Sequence, residues 1–213
     1  MAVAVATSET GYRSSSGAAL PVAVTVAGVV GLWAGLLGAA VHASRTRGSG
    51  SLAEDYGLRV GAWWDIPAGA AIGLACQYVL VPALYRPFEL FDRSLAHQLS
   101  RPAHQEAGAA HGPVAVVVLL LFLAVGAPVV EEVFFRGLLL RSLLGRMTVP
   151  AAVVASAVLF GLAHFEALQF AGLAVFGAVL AFLAWRTARL APGIAAHAAF
   201  NAAAVLSVVH LHH

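Results

Sequence analysis

What constrains this chain most is the spacing of its apolar residues. They come in runs about as long as a bilayer is thick, separated by short polar stretches. A helix crossing the hydrocarbon core needs roughly 20 apolar residues, and six segments of that kind can be marked, at about 18–43, 66–85, 113–144, 151–165, 168–185 and 194–209. Of the 213 residues, 61% are hydrophobic and only 10% are charged, whereas soluble domains carry about 25% charged residues. The expected fold is therefore all-α: a polytopic bundle of about six transmembrane helices, in an integral, multi-pass membrane protein surrounded by lipid.

The polar stretches divide the runs. The first run exceeds signal-peptide length and Arg13 comes late before it, so it reads as a signal anchor. "SRTRGSGSLAEDYGLRVGAWWD" is loop-like, and Trp63 and Trp64 suit a membrane interface. The longest polar segment, 86–112, holds "FELFDRSLAHQL", whose helical spacing predicts a helix lying on the membrane surface. The third run is too long for one crossing, and Gly126 with Pro128 supplies a reason for it to bend. Arg45, Arg47, Arg59, Arg141, Arg146, Arg186 and Arg189 fall on one side of the alternating runs, against Arg13, Arg86, Arg93 and Arg101 on the other. The positive-inside rule then puts both termini outside. The basic residues are scattered, so nothing points to nucleic acid. All of them are Arg, and with abundant Ala, Val and Gly this is the composition expected of a GC-rich bacterial genome. A single cysteine, Cys76, leaves no disulfide and no cysteine zinc site to build.

Ionisable groups are costly in hydrocarbon, roughly 2.5–3.5 kcal/mol each at mid-membrane. The second half of the chain nevertheless places Glu131, Glu132 and Arg136 on the third run, His164 on the fourth, and His197 with Asn201 on the sixth. Glu132 and Arg136 are spaced i,i+4, so they can pair; His197 and Asn201 have the same spacing and share a helix face. The turn between runs three and four centres between Met147 and Thr148, and Glu131 and His164 are equally distant from it along the chain. An antiparallel hairpin therefore brings that carboxylate and that imidazole to similar depth. Glu132–Arg136 alone could be a structural staple, and either histidine alone reads as a packing residue. Two histidines, an amide and a spare carboxylate on three helices are harder to explain as packing. His42, His97, His104 and His111 lie in or near loops, and His210, His212 and His213 form a tail that can bind metal adventitiously.

"EEVFFR" (131–136), "FGLAH" (160–164) and "HAAFN" (197–201) fit EExxxR, FxxxH and HxxxN. In that order on separate apolar runs, with the lead-in "GAPVVEE", they make the chain resemble the CPBP family of intramembrane proteases, which includes the CAAX prenyl endopeptidases and bacterial abortive-infection proteins. The resemblance covers about 113–205. It implies an endopeptidase cutting a membrane-associated or lipidated protein or peptide. Glu131 and His164 would activate water, and His197 and Asn201 would stabilise the oxyanion. Glu132, Arg136 and Phe160 would support them. The chain then divides into 1–112, two spans with a polar, interfacial segment; 113–205, the catalytic core; and 206–213, the His-rich tail. Whether the enzyme is a metalloprotease stays open: Glu131, His164 and His197 are candidate zinc ligands, but HExxH is absent, and a glutamate-activated water needs no cofactor. Two non-protease readings stand beside it. One is a membrane scaffold or bacteriocin-immunity protein, which the complete motif set disfavours. The other is a divalent-cation transporter, which the lack of carboxylates on the first two runs disfavours.

Overall fold

A computed structural model describes residues 22–92, 94–95, 98–99, 117–118 and 120–210, with side chains from 27 to 207 in the helices at the two ends. The start of the first run, Arg13, Arg93, Ala96 and His97 of the expected surface helix, residues 113–116, His104, His111, and His212 and His213 of the tail lie outside it. All regular structure among the described residues is helical: α1 (Val22–Arg47), α2 (Leu52–Tyr56), α3 (Asp65–Glu89), α4 (121–144), α5 (Val149–Leu162), α6 (Phe170–Thr187) and α7 (Ala191–His210). Among the described residues, three segments are long and apolar enough to cross a membrane, Ala27–Arg47, Asp65–Glu89 and Phe170–Thr187.

Helix α5 departs from the expected 151–165. It spans 14 residues, about 21 Å at 1.5 Å per residue, less than the roughly 30 Å of a hydrocarbon core. Phe165 takes a left-handed φ of 54°, which no continuing right-handed helix can hold. His164 therefore sits just beyond the helix end, in the turn that leads to α6.

Helices α3 and α4 are continuous but contain wider, five-residue turns, at Cys76–Leu80, Leu121–Gly126 and Val133–Leu140. The first two run up to prolines, Pro82 and Pro128. A proline ring collides with the carbonyl four residues back in an α-helix, and a wider turn relieves that collision. Where a bend was expected, at Gly126 and Pro128, the helix continues through a wide turn.

Two sets of contacts tie the helix ends. At the arginine-rich end, the Leu190 N–H donates to the Gly57 carbonyl (2.9 Å) and Arg141 Nη2 donates to the Ala188 carbonyl (3.0 Å). Arg189 Nη2 lies 2.8 Å from Asp65 Oδ1. Tyr56 donates to the Ala40 carbonyl, and Ser44 donates to Asp55. Gly57 must be glycine twice over, with φ 69° and the Ala188 carbonyl where a Cβ would stand. At the other end, Tyr85 donates to the Leu168 carbonyl and accepts from the Gly172 N–H. The apolar helices thus alternate in direction, and the helix ends and loops bearing Arg45, Arg59, Arg141 and Arg189 gather at one end.

Helices α3 and α7 approach each other closely. A Cβ on Gly69 or Gly73 would fall on the backbone of Pro192 or Ala196. This is the small-xxx-small packing by which membrane helices approach when no hydrophobic effect drives them together. The first helix also packs on the second half of the chain: Trp33 stacks on Phe122 at 4.7 Å.

Candidate active site

Helices α4, α5 and α7 meet around one aromatic ring. Phe160 is fully buried, with the Arg136 guanidinium 4.2 Å over its face. Around it lie the rings of Phe135 (5.3 Å), His164 (4.5 Å) and His197 (5.6 Å). Phe176 of α6 meets His197 edge-on at 5.5 Å. The motif residues FxxxH thus contribute a hub and a functional group, and the hub explains why an aromatic stands one turn before the histidine.

The two adjacent glutamates diverge as neighbouring helix positions must. Glu132 has a fully buried side chain, and its Oε1 lies 2.8 Å from Arg136 Nη1 and 3.2 Å from His197 Nδ1. Arg136 Nη2 donates to the Gly177 carbonyl at 3.2 Å. Glu131 is 21% exposed, and its Oε2 lies 3.8 Å from Nε2 of both His164 and His197. That atom is itself buried and has no hydrogen-bond donor among the described residues. The hairpin geometry expected from the sequence is therefore present: carboxylate and imidazole face each other at one depth.

The hydrogen bonds set the proton positions on the imidazoles. His164 Nδ1 lies 2.6 Å from the Phe160 carbonyl, one of the orphan acceptors at a helix C-terminus. A carbonyl can only accept, so Nδ1 carries hydrogen and Nε2 of the neutral ring presents a lone pair towards Glu131. His197 Nδ1 likewise faces an acceptor, Glu132, so a neutral His197 also presents a lone pair at Nε2, and donation from Nε2 requires the imidazolium. Asn201 Nδ2 donates to the Leu123 carbonyl at 2.8 Å, which leaves its second N–H free of that bond.

Glu131, Glu132, Arg136, Phe160, His164 and His197, singled out from the sequence, belong to this assembly, and Asn201 stands one turn beyond His197 on α7, bonded to the Leu123 carbonyl of α4. Several contributors carried no signal. Ser156 donates to the Phe135 carbonyl (3.3 Å), which lies in a wide turn of α4; only its place one turn before Phe160 hinted at it. Gly193 leaves room for Glu132, whose Oε2 stands 3.1 Å from where a Cβ would be. The carbonyls of Leu123 and Gly177 act through backbone, which no side-chain motif records.

Zinc would set a strict spacing on these donors. Two ligands on one tetrahedral zinc, at about 2.0–2.1 Å each, stand roughly 3.4 Å apart, closer than the 3.8 Å that separates Glu131 from either imidazole. Among the described residues, no three His, Cys, Asp or Glu side chains converge closely enough to hold a metal ion as placed. As placed, the candidates Glu131, His164 and His197 form an open fork, wider than a tetrahedral zinc requires.

Comparison with known proteins gives one match. Residues 113–203 match the family model described as type II CAAX prenyl endopeptidase Rce1-like. No curated protein and no solved structure matches the chain. The matched segment contains all three motifs and the whole buried cluster, and the apolar helices around it are those of an integral membrane protein. Over residues 113–203 the chain is thus similar to the type II CAAX prenyl endopeptidase family, which supports the resemblance to CPBP proteases carried by the three motifs.

Proposed function

We propose that the protein is an intramembrane endopeptidase that hydrolyses a peptide bond in a membrane-associated or lipidated polypeptide, with Glu131 as general base. The observation that carries this reading is the position of Glu131 Oε2: buried, without a donor, and 3.8 Å from two imidazole nitrogens. A gap of that size between polar atoms is too long for a hydrogen bond and suits a bridging water.

The chemistry follows from the proton positions. A water held by Glu131 and the His164 Nε2 lone pair attacks the carbonyl carbon and gives its proton to the carboxylate. The new C–O bond turns the carbonyl oxygen into an oxyanion. His197 in its imidazolium form, with Nδ1–H on Glu132, donates to that oxyanion from Nε2; the second N–H of Asn201 donates beside it. Collapse breaks the C–N bond, and the proton on Glu131 passes to the departing amine, which restores the carboxylate. Glu132 and Arg136 do no chemistry; they hold His197 and balance charge. No step is routed through a metal.

The reading carries a topology. Helices α1, α3, α4, α5, α6 and α7 would each enter the membrane, six segments in all, with lipid as the surrounding partner and the short α5 delivering His164 part-way through the bilayer. Cleavage of synthetic peptides by purified protein in lipid, prenylated and unprenylated, with and without a strong zinc chelator, tests it. Cleavage that survives chelation is expected; cleavage abolished by the chelator and restored by zinc would replace glutamate-only chemistry with a metalloprotease; no cleavage of any membrane peptide would leave the scaffold reading.

A further inference from the structure

We infer that Pro128 is a positioning residue for this site: by lacking an N–H it leaves the Leu123 carbonyl open, and that carbonyl holds Asn201. The inference deepens the proposed function and rests on the oxyanion role given to Asn201 there.

Hydrogen-bond bookkeeping along α4 leads to it. In the wide turn Leu121–Gly126 each N–H reaches back five residues, and the Ala127 N–H accordingly donates to the Phe122 carbonyl. The next bond in the series would run from residue 128 to the Leu123 carbonyl. Residue 128 is proline and has no hydrogen to give. The ordinary α-helical donor to Leu123 would be Ala127, which is already spent on Phe122. A backbone carbonyl left without a partner inside a membrane bundle is costly. Asn201 Nδ2, reaching across from α7, supplies the missing donor at 2.8 Å.

The bond works in both directions. A free Asn amide rotates about two side-chain torsions. With one N–H committed to a fixed backbone acceptor, the amide plane is set and the second N–H has one direction left. His197, one turn earlier, is held in the same manner by Glu132 Oε1 at 3.2 Å. Both members of HxxxN are therefore oriented by α4, at two points nine positions apart that flank Glu131 and Pro128. Orientation of this kind is where preorganised sites obtain rate: a donor misplaced by about an ångström costs on the order of 10²-fold. Pro82 provides an internal comparison. It stands in the same relation to its own wide turn, since the Val81 N–H donates to the Cys76 carbonyl and residue 82 cannot serve Gln77, but it lies on α3.

A double-mutant cycle tests the link. Pro128→Ala gives residue 128 an N–H that can serve Leu123 and so releases Asn201. In the natural sequence, Asn201→Ala should lower the melting temperature in detergent by about 2–4 °C, the shift for one lost hydrogen bond in a chain of this size. In the Pro128→Ala background the same change should cost less than about 1 °C, and in a Pro82→Ala background the full amount. With a cleavable peptide, Pro128→Ala alone should lower kcat about tenfold or more and leave KM within about twofold. Asn201→Asp provides an arm independent of how Pro128→Ala folds: an acceptor set against the Leu123 carbonyl should melt lower than Asn201→Ala. Equal losses from Asn201→Ala with Pro128 and with Ala at that position, or Asn201→Asp melting no lower than Asn201→Ala, would overturn the link. An unchanged kcat in Pro128→Ala would overturn its positioning role. Melting is read without substrate, so coupling in a protein that cleaves nothing would refute the protease reading and leave the Pro128–Leu123–Asn201 link standing.

Discussion

Substituting Glu132→Gln removes one charge from the most buried ion pair of the site and changes almost nothing else in shape. Both partners are fully buried, with Glu132 Oε1 2.8 Å from Arg136 Nη1. Arg136 keeps the Gly177 carbonyl and the face of Phe160, but neither carries a charge. Breaking a buried pair from one side costs about 3–5 kcal/mol. The glutamine carbonyl still accepts a hydrogen bond and Phe160 still provides a cation–π contact, so the lower end, about 3 kcal/mol, is the working figure. A chain of this size loses roughly 2–4 °C of melting temperature per kcal/mol, so the expected drop is about 6–12 °C. Glu131→Gln is the matched control: its side chain is 21% exposed and makes no hydrogen bond at Oε2, so its melting temperature should move by less than about 2 °C. Unfolding in detergent followed by tryptophan fluorescence reads both, and the double change Glu132→Gln with Arg136→Met should recover part of the loss by removing the stranded charge. If Glu132→Gln melts within about 2 °C of the unaltered protein, Arg136 does not depend on Glu132 and the division of labour between the glutamates is wrong.

Three further outcomes are expected. Gly73→Ala puts a methyl group on the Ala196 backbone and should cost about 1–3 kcal/mol, whereas Gly35→Ala, with open space around it, should leave the melting temperature unchanged or raise it. The Ser44 hydroxyl, then the Ser49 N–H, hold the Asp55 carboxyl below its ordinary value. A lowered carboxyl stabilises the fold above the unfolded value near pH 4 and loses that contribution as pH falls through the folded value. The unaltered protein and Asp55→Asn should therefore melt apart at pH 6 and converge towards pH 3; a constant gap would remove Asp55 from the clamp. The loops rich in arginine gather at one end, so a reporter in the turn after Leu144 should be active in the cytoplasm and one after His213 outside it; the reverse pattern would invert the topology.

The apolar runs announced helices because their length is set by the bilayer, and the structure differs from the expected ranges by a few residues at most ends. The i,i+4 pairs were legible for the same reason that they are short-range: helix geometry alone brings Glu132 to Arg136. The Glu131–His164 approach was legible because a hairpin converts sequence distance from the turn into depth. What stayed hidden depends on backbone. Nothing in "GAPVVEE" says that Pro128 empties the acceptor to which Asn201 binds, because that requires knowing the register of the preceding turn. The proton positions on His164 and His197 were equally hidden, since each is fixed by what its Nδ1 meets. The fit of Gly193 against Glu132 was beyond any motif, because a missing side chain marks space only once the neighbour is known.

The central claim is that Glu131 is the base that activates water, and peptide cleavage by Glu131→Gln tests it most directly. The variant should insert, fold and melt like the unaltered protein, bind substrate with similar affinity, and lose nearly all turnover, by at least about 10²-fold. A well-folded Glu131→Gln protein that retains substantial cleavage would contradict the account.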